Sequence, residues 1–128
     1  MNRYAKGANF ERKLVSDFWA HGWAAMRAAG SGTTVFPVPD VIAVKDGRVI
    51  IVECKATKKD RLSLKEAMTE LKKFADLSGA DAYISIKFFK KEPRFFSLEK
   101  MLSKGNYTIS VNELFQSFET ILSEQKTL

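Results

Sequence analysis

The amino-acid sequence predicts a mixed α/β fold in a single domain that spans residues 1–128. Two stretches carry apolar residues at helical spacing, and short apolar runs bounded by turn-forming residues lie between and after them. One pair of these runs flanks Asp46-Gly47, a dipeptide typical of tight β-hairpin turns. A chain of 128 residues, of which 45% are hydrophobic, is long enough to build one core. The predicted order of elements is α-β-β-β-α-β-β-β-α.

The N-terminal half is predicted to contain one helix and three strands. The helix covers about Gly7 to Ala20, where apolar residues recur every three or four positions, and Gly22 follows as a stop signal. A short strand covers about Trp23 to Ala28. The two strands of the hairpin cover about Asp40–Val44 and Val49–Cys54.

The C-terminal half begins with a charged loop at 58–61, after which a second helix is predicted. Ser63 and Glu66 have the spacing of a capping box at its start, and Gly79 is placed to end it. The remaining predictions are two strands at about Ala82–Phe88 and Arg94–Leu98, a short strand around 107–111 and a C-terminal helix at about 112–124.

The charge of the chain predicts a polyanionic partner. The net charge is +6, and the stretch 1–105 carries +8 while 106–128 carries −2. Nucleic acid is the commonest partner of such a basic protein, although a basic protein without one is the alternative. No apolar run approaches the roughly 18 residues that span a membrane, and the polar N-terminus predicts no signal peptide.

The sparse cysteine and histidine content restricts the possible sites. Cys54 is the one cysteine, which excludes an internal disulfide and is typical of the reducing cytoplasm. His21 is the one histidine, which argues against a histidine-rich zinc or iron centre. A metal ion in this protein is therefore expected to bind carboxylates, and Mg²⁺ and Mn²⁺ prefer such ligands.

The turn at Asp46-Gly47 predicts which residues of the hairpin face each other. In a symmetric hairpin centred there, Ile42 pairs with Ile51 and Asp40 pairs with Glu53. Opposed Cβ atoms lie roughly 4.5–5.5 Å apart, so two carboxylates are predicted to be neighbours. A loop with an odd number of residues would shift this register by one position.

Further charged residues are predicted to join this pair. Lys55 lies two residues after Glu53 and thus on the same face of the strand. Glu11 falls within the apolar stripe of the first helix, so it is expected to point inward and to need a partner. Opposed like charges are destabilising unless a cation binds between them or one is protonated. Each residue alone is more often structural, as the edge of an apolar stripe or an ion pair; together they favour a site.

The spacing of these residues resembles the PD-(D/E)XK nuclease superfamily, in which an Asp is followed by Glu-x-Lys. Here the motif is Pro39-Asp40 followed by Glu53-Cys54-Lys55. Three flanking segments are similar to archaeal Holliday junction resolvases of the Hjc and Hje type: KGANFERKL at Lys6–Leu14, MRAAGSG at Met26–Gly32 and VECKATKK at Val52–Lys59. The resemblance runs to about Leu98 and implies a restriction-endonuclease-like fold, in which helices flank a mixed central sheet.

The resemblance also implies roles for individual residues. The metal-binding acids of the family correspond to Glu11, Asp40 and Glu53, and its catalytic lysine corresponds to Lys55. Ser31 is the best match to a catalytic loop serine, with Thr33 and Thr34 as alternatives. The positions that match DNA-binding residues or extend the basic surface are Arg3, Lys6, Arg12, Arg27, Lys58, Lys59 and Arg61.

The implied activity is hydrolysis of four-way DNA junctions by a Mg²⁺-dependent endonuclease in which Mn²⁺ can substitute. Two symmetric cuts need two active sites, so the resemblance implies a homodimer. Candidate interface residues on the second helix are Met68, Leu71, Phe74 and Leu77, which could equally fill the core. A DNA substrate implies a cytoplasmic, nucleoid-associated protein, and a sliding clamp or a recombination helicase is a further candidate partner.

Three alternatives remain open at this point. The chain could be another PD-(D/E)XK nuclease, such as a restriction or repair endonuclease that cuts duplex or flap DNA. Its small size and the lack of a sequence-reading domain argue against a restriction enzyme. It could be a non-catalytic junction-binding protein on the same fold. A basic scaffold protein is the third alternative, and it would leave the pairing of Asp40 and Glu53 unexplained. The sequence does not separate the Hjc subtype from the Hje subtype.

Overall fold

A computed structural model describes residues 3–28 and 35–124, with side chains from Gly7 onward. Within these residues the chain forms helices α1 to α4 and strands β1 to β7. Their bounds, in chain order, are α1 Arg3–Ala20, β1 Ala24–Arg27, β2 Val41–Lys45, β3 Arg48–Thr57, β4 Arg61–Ser63, α2 Lys65–Ser78, β5 Asp81–Phe88, β6 Arg94–Ser97, α3 Leu98–Ser103, β7 Thr108–Ser110 and α4 Phe118–Ser123.

The central feature is a five-stranded mixed sheet with the order β1-β2-β3-β5-β6. β3 and β5 are parallel, and the neighbouring pairs are antiparallel. A parallel pair needs a long crossover connection, and here the segment that contains α2 supplies it. β4 and β7 form a separate antiparallel pair. The predicted mixed sheet flanked by helices is thus confirmed.

The hairpin β2–β3 has the predicted register. Ile42 lies opposite Ile51, and the ladder continues to Val41 opposite Val52. Asp46 and Gly47 both have positive φ angles, of 49° and 78°. Two consecutive positive φ values are typical of the type I′ turn, which asparagine, aspartate and glycine adopt most readily.

Two apolar clusters cover the two faces of the sheet. The α1-side cluster contains Phe18, Trp23 and Val52, together with Ile121 from α4. The α2-side cluster contains Ile51, Ile84 and Met101, with Met68 and Leu71 from α2. Successive residues of a strand point to opposite faces, so neighbours on β3 contribute to different clusters. Within the described residues, no helix is both long and apolar enough to cross a membrane.

The predicted capping box at the start of α2 is wrong. Ser63 is the last residue of β4, and its hydroxyl lies 3.2 Å from the hydroxyl of Thr108 on β7. The helix begins at Lys65, with Leu64 as an N-cap that makes no side-chain hydrogen bond. Pairing with β7 keeps Ser63 extended, so a tertiary contact overrides its local capping preference. The predicted end is confirmed, since Gly79 has a φ of 73°.

The predicted C-terminal helix at 112–124 is too long, because the helix there covers Phe118–Ser123. The preceding residues are held by an isolated β-bridge, in which Phe95 and Gln116 exchange two backbone hydrogen bonds of 2.9 Å. Ser117 then caps the helix by accepting a hydrogen bond from the Thr120 N–H. Strand β4 and helix α3 were not predicted, because each is very short.

Candidate active site

Asp40 and Glu53 meet at the end of the β2–β3 hairpin farthest from its turn. Asp40 immediately precedes β2 and is 9% exposed. Its Oδ2 accepts a 2.8 Å hydrogen bond from the Cys54 N–H. Its backbone carbonyl accepts a 2.9 Å hydrogen bond from the Ala28 N–H. The carboxyl groups of Asp40 and Glu53 are close enough for the charge of Asp40 to raise the pKa of Glu53. This proximity agrees with the register that the sequence predicts.

Burial and, after it, the negative charge of Asp40 together raise the pKa of Glu53 from its ordinary value of 4.5 to about 8. The Lys55 ammonium acts in the opposite direction, with Nζ 3.8 Å from Glu53 Oε2. A proton therefore occupies this carboxyl pair near neutral pH when no cation neutralises it.

Glu11 reaches the same region from α1. Its side chain is 16% exposed, and its Oε1 accepts a 3.2 Å hydrogen bond from Arg27 Nε. Burial and the nearby charge of Asp40 raise the pKa of Glu11, while Arg27 and Arg12 lower it. Glu11 is thus an inward-pointing carboxylate with a partner, as the apolar stripe of the helix predicts.

The thiol of Cys54 lies within the combined field of the three carboxylates. Burial and, after it, the charges of Asp40, Glu11 and Glu53 raise its pKa well above 9.0, while the charge of Lys55 lowers it. The side chain packs against the α1-side cluster. The charges of all three acids therefore act on this one thiol.

The donor chemistry of this region fits a hard divalent cation, since carboxylate oxygens are the ligands such ions prefer. As the side chains are arranged, however, the described residues contain no group of three or more His, Cys, Asp or Glu positioned to hold a metal ion. Glu11 is engaged by Arg27, and Glu53 is engaged by Lys55. Binding of a cation would therefore require these acidic side chains to rearrange.

A family model described as "Archaeal holliday junction resolvase (hjc)" matches residues 2–127. This chain belongs to the archaeal Holliday junction resolvase family.

Members of the family resemble this chain over most of its length. It is 36% identical to the crossover junction endodeoxyribonuclease Hjc of Archaeoglobus fulgidus over 110 residues, which are 85% of this chain and 80% of that protein. It is 30% identical to the Hje enzyme of Saccharolobus islandicus over 127 residues, or 93% of each chain. The crystal structure of Archaeoglobus fulgidus Hjc has a TM-score of 0.79 and 32% identity, and covers 91% of this chain and 98% of that one.

Several residues that match the resolvase family lie outside the described structure. Ser31 and its alternatives Thr33 and Thr34 are outside the described residues. Arg3 and Lys6 lie in α1, but their side chains are not described. Their roles therefore stay predictions.

The described DNA-binding candidates divide into exposed and engaged residues. Lys58 and Lys59 are exposed in a bend after β3, and Arg12 is exposed on α1 with Nη1 3.4 Å from Asn9 Oδ1. Arg61 is also exposed, but it begins β4 and pairs with Ser110, so its assignment to a loop is wrong. The second sheet holds its backbone in place.

Arg27 has a contact that the sequence reasoning missed. Its side chain is 26% exposed and binds Glu11, whereas the family match suggested a DNA-facing residue. The alternation of β1 could have indicated this, because Arg27 shares a face with Ala25, which packs against the α1-side cluster. Arg27 thus balances the charge of the acidic site in this structure.

Most of the candidate interface residues on α2 fill the core. Met68 and Leu71 are 0% and 3% exposed, so they are unavailable to a second copy of the chain. Phe74 is partly buried against the same cluster, and Leu77 is 90% exposed. Met68 and Leu71 therefore belong to the core, which was the alternative to an interface role.

The raised pKa of Glu53 predicts how stability depends on pH in this resolvase-family protein. The folded state keeps a proton up to about pH 8 that the unfolded state releases near 4.5. The stabilisation from this protonated carboxyl is fully present below pH 4.5 and is lost as the pH rises to about 8. We expect the melting temperature in chelator to fall across this interval more steeply for the wild type than for Glu53→Gln.

Thermal melts at several pH values between 5 and 9 would test this expectation. Glu66→Gln is the matched control, since Glu66 is exposed in the first turn of α2. Equal pH slopes for the wild type and Glu53→Gln would contradict the expected role of the Glu53 proton.

Proposed function

We propose that this protein is a structure-selective endonuclease that resolves four-way DNA junctions by metal-dependent hydrolysis. The observation that supports this most directly is the convergence of Glu11, Asp40 and Glu53, with Lys55 beside them, in a chain of the resolvase family. Relatives from several archaea carry the name crossover junction endodeoxyribonuclease. A DNA substrate would place the protein on the nucleoid.

The three carboxylates would hold Mg²⁺, and Mn²⁺, which accepts the same oxygen ligands, can replace it. Such an ion supplies Lewis acidity and a strong water-derived nucleophile at neutral pH. Burial is the largest cause of the raised pKa values of Glu11 and Glu53, and the negative charge of Asp40 is the next cause of both. A bound cation would relieve this repulsion among the carboxylates, which supports the assignment. Release of Glu11 from Arg27 would free a third ligand.

Lys55 is the candidate for direct action on the reacting phosphate. Its side chain is 39% exposed, so its ammonium can reach a DNA backbone while it stays near Glu53. There it would orient the attacking water and balance the negative charge that develops on the phosphoryl oxygens. Ser31 is proposed to donate a hydrogen bond to the same phosphate. Attack of water on phosphorus breaks the bond to the 3′ oxygen and leaves a 5′-phosphate and a 3′-hydroxyl.

Substrate selection is proposed to depend on the shape of the junction and on phosphate positions. Phosphate contacts position a protein without reading sequence, and the exposed cations near the site suit that role. The proposed DNA-binding residues are Arg3, Lys6, Arg12, Arg27, Lys58, Lys59 and Arg61. Arg27 would contribute once it has separated from Glu11.

A homodimer is proposed because the junction has near two-fold symmetry and needs two cuts. Leu77 and the exposed part of Phe74 remain on α2 as candidate contacts, since the other two candidates are buried. Analytical ultracentrifugation of the wild type and of Leu77→Lys would test this assignment. An unchanged dimer in the variant would exclude Leu77 from the interface.

Cleavage of a synthetic four-way junction tests the proposed activity. The purified protein is incubated with an immobile junction and with linear duplexes of the same arm sequences, in Mg²⁺ and in chelator. We expect paired symmetric nicks in the junction, none in the duplexes and none with chelator. Equal cutting of the duplexes would favour a general nuclease, and tight junction binding without cutting in Mg²⁺ or Mn²⁺ would favour a binding protein.

A further inference from the structure

The turn between β5 and β6 holds an aromatic ring out in solvent. The Lys91 N–H donates a 3.0 Å hydrogen bond to the Phe88 carbonyl, which closes a tight turn around Phe89 and Lys90. Phe88 is 2% exposed and anchors the turn in the core, whereas Phe89 is 57% exposed. Lys90 has a φ of 60°, in the left-handed region that costs a non-glycine residue free energy. The backbone thus presents Phe89 at the corner of a strained turn.

This turn lies at the same edge of the sheet as the acidic site. β3 and β5 are parallel, with Lys55 opposite Ile86 and Thr57 opposite Phe88. With a rise of roughly 3.3 Å per residue and a strand spacing of roughly 4.8 Å, the Cα atoms of Lys55 and Phe88 lie about 8 Å apart. Phe89 therefore lies three residues beyond Ile86, the residue opposite Lys55, at the same end of the strands as the proposed catalytic lysine.

The surroundings of the ring are basic. Lys87 and Lys91 are exposed on either side of it, and Lys90 Nζ lies 5.4 Å from the centroid of the Phe89 ring. Lys58 and Lys59 are exposed in the bend after the neighbouring strand β3. The acidic residues of these two segments are Asp60 and Glu92, so lysines outnumber them. Such a surface is unsuited to an apolar protein partner and is complementary to a polyanion.

An exposed ring among lysines matches the chemistry of an unstacked base with its phosphates. Aromatic side chains stack on bases that are free of their neighbours, and cations bind the backbone beside them. In a continuous duplex every base pair is stacked on both sides, whereas in an open four-way junction the base pairs at the branch point have one uncovered face. The turn could therefore distinguish branched from linear DNA without reading sequence.

We propose that Phe89 stacks on a base at the branch point of the DNA while Lys87, Lys90 and Lys91 bind the adjacent phosphates. This inference rests on the proposed junction-cleaving function and adds a residue that determines substrate selectivity. It assigns the β5–β6 turn to the DNA beside the scissile position. Phe89 is a binding residue in this proposal and does not touch the reacting atoms.

Junction affinity of Phe89 variants, measured in chelator so that no cleavage occurs, tests the proposal. Phe89→Ala and Phe89→Leu are expected to weaken binding to a four-way junction about 5- to 100-fold, the range that base–aromatic stacking supports. Phe89→Trp is expected to bind like the wild type, and affinity for linear duplex should change less than twofold in all three. A fluorescent 2-aminopurine at the branch point should report stacking by the wild type and the tryptophan variant only.

Tyr107→Ala is the matched control, because Tyr107 is also an exposed aromatic residue with a lysine above its ring, 5.6 Å from Lys65 Nζ. It should leave junction affinity unchanged. Junction binding by Phe89→Ala within twofold of the wild type, or an equal loss on linear duplex, would overturn the proposal. Parallel cleavage assays of the wild type separate the proposed function from the proposed role of Phe89. If the wild type does not cleave the junction, the proposed function itself is contradicted.

Discussion

Replacing Asp40 by asparagine is expected to lower the rate of junction cleavage by about three orders of magnitude. Asparagine has nearly the same shape as aspartate, and its carbonyl oxygen can still accept the hydrogen bond from the Cys54 N–H. The substitution therefore removes the charge that would bind a cation while preserving the hairpin. Junction affinity should stay the same or rise slightly, since one negative charge near the DNA is lost.

Single-turnover cleavage and junction binding, measured on the same preparation, would check this expectation. Asp46→Asn is a close control, because it makes the same chemical change at the exposed turn of the same hairpin, where asparagine tolerates the φ of 49°. It should cut at the wild-type rate. If Asp40→Asn also cuts at the wild-type rate, the site has been assigned wrongly.

Junction affinity is expected to fall by about 10³ to 10⁵ when salt rises from 50 to 200 mM, if six to ten phosphates are contacted. Each neutralised phosphate releases bound counterions, and the basic stretch of this chain offers enough cations for that number. Lys58 and Lys59 directly follow β3, the strand that carries Glu53 and Lys55. Replacing both by alanine should lower the slope of log affinity against log salt by about two units.

A matched pair of lysines on α2 provides the control for the salt experiment. Lys72 and Lys73 are exposed but engaged with Asp76 and Glu70, at 2.6 and 3.1 Å. Replacing both by alanine removes the same charge and should leave the salt slope near the wild-type value. A junction affinity that hardly changes with salt would contradict the proposed basic DNA-binding surface. Equal changes of the salt slope in the two double variants would show that Lys58 and Lys59 make no special contribution to that surface.

The sequence by itself determined the hairpin and the acids that it aligns. Asp46-Gly47 allows a turn with two positive φ angles, and the alternation of apolar residues sets which partners face each other. Asp40 and Glu53 followed from this local register, as did the side of β3 on which Lys55 lies. Glu11 was predictable because a helix has a fixed period, so a charged residue within its apolar stripe must point inward.

Only the tertiary structure decided how these charges are balanced and where some elements begin. The pairing of Arg27 with Glu11 joins β1 to α1, and no local pattern measures that distance. The pKa of about 8 at Glu53 depends on burial and on Asp40 together, which the packed chain alone creates. Ser63 belongs to β4 and does not cap α2, because it pairs with β7. No local pattern predicts this pairing, since the partner strand lies far along the sequence. Local rules fix turns, periods and faces, whereas contacts between distant segments decide burial, charge pairing and competition between local preferences.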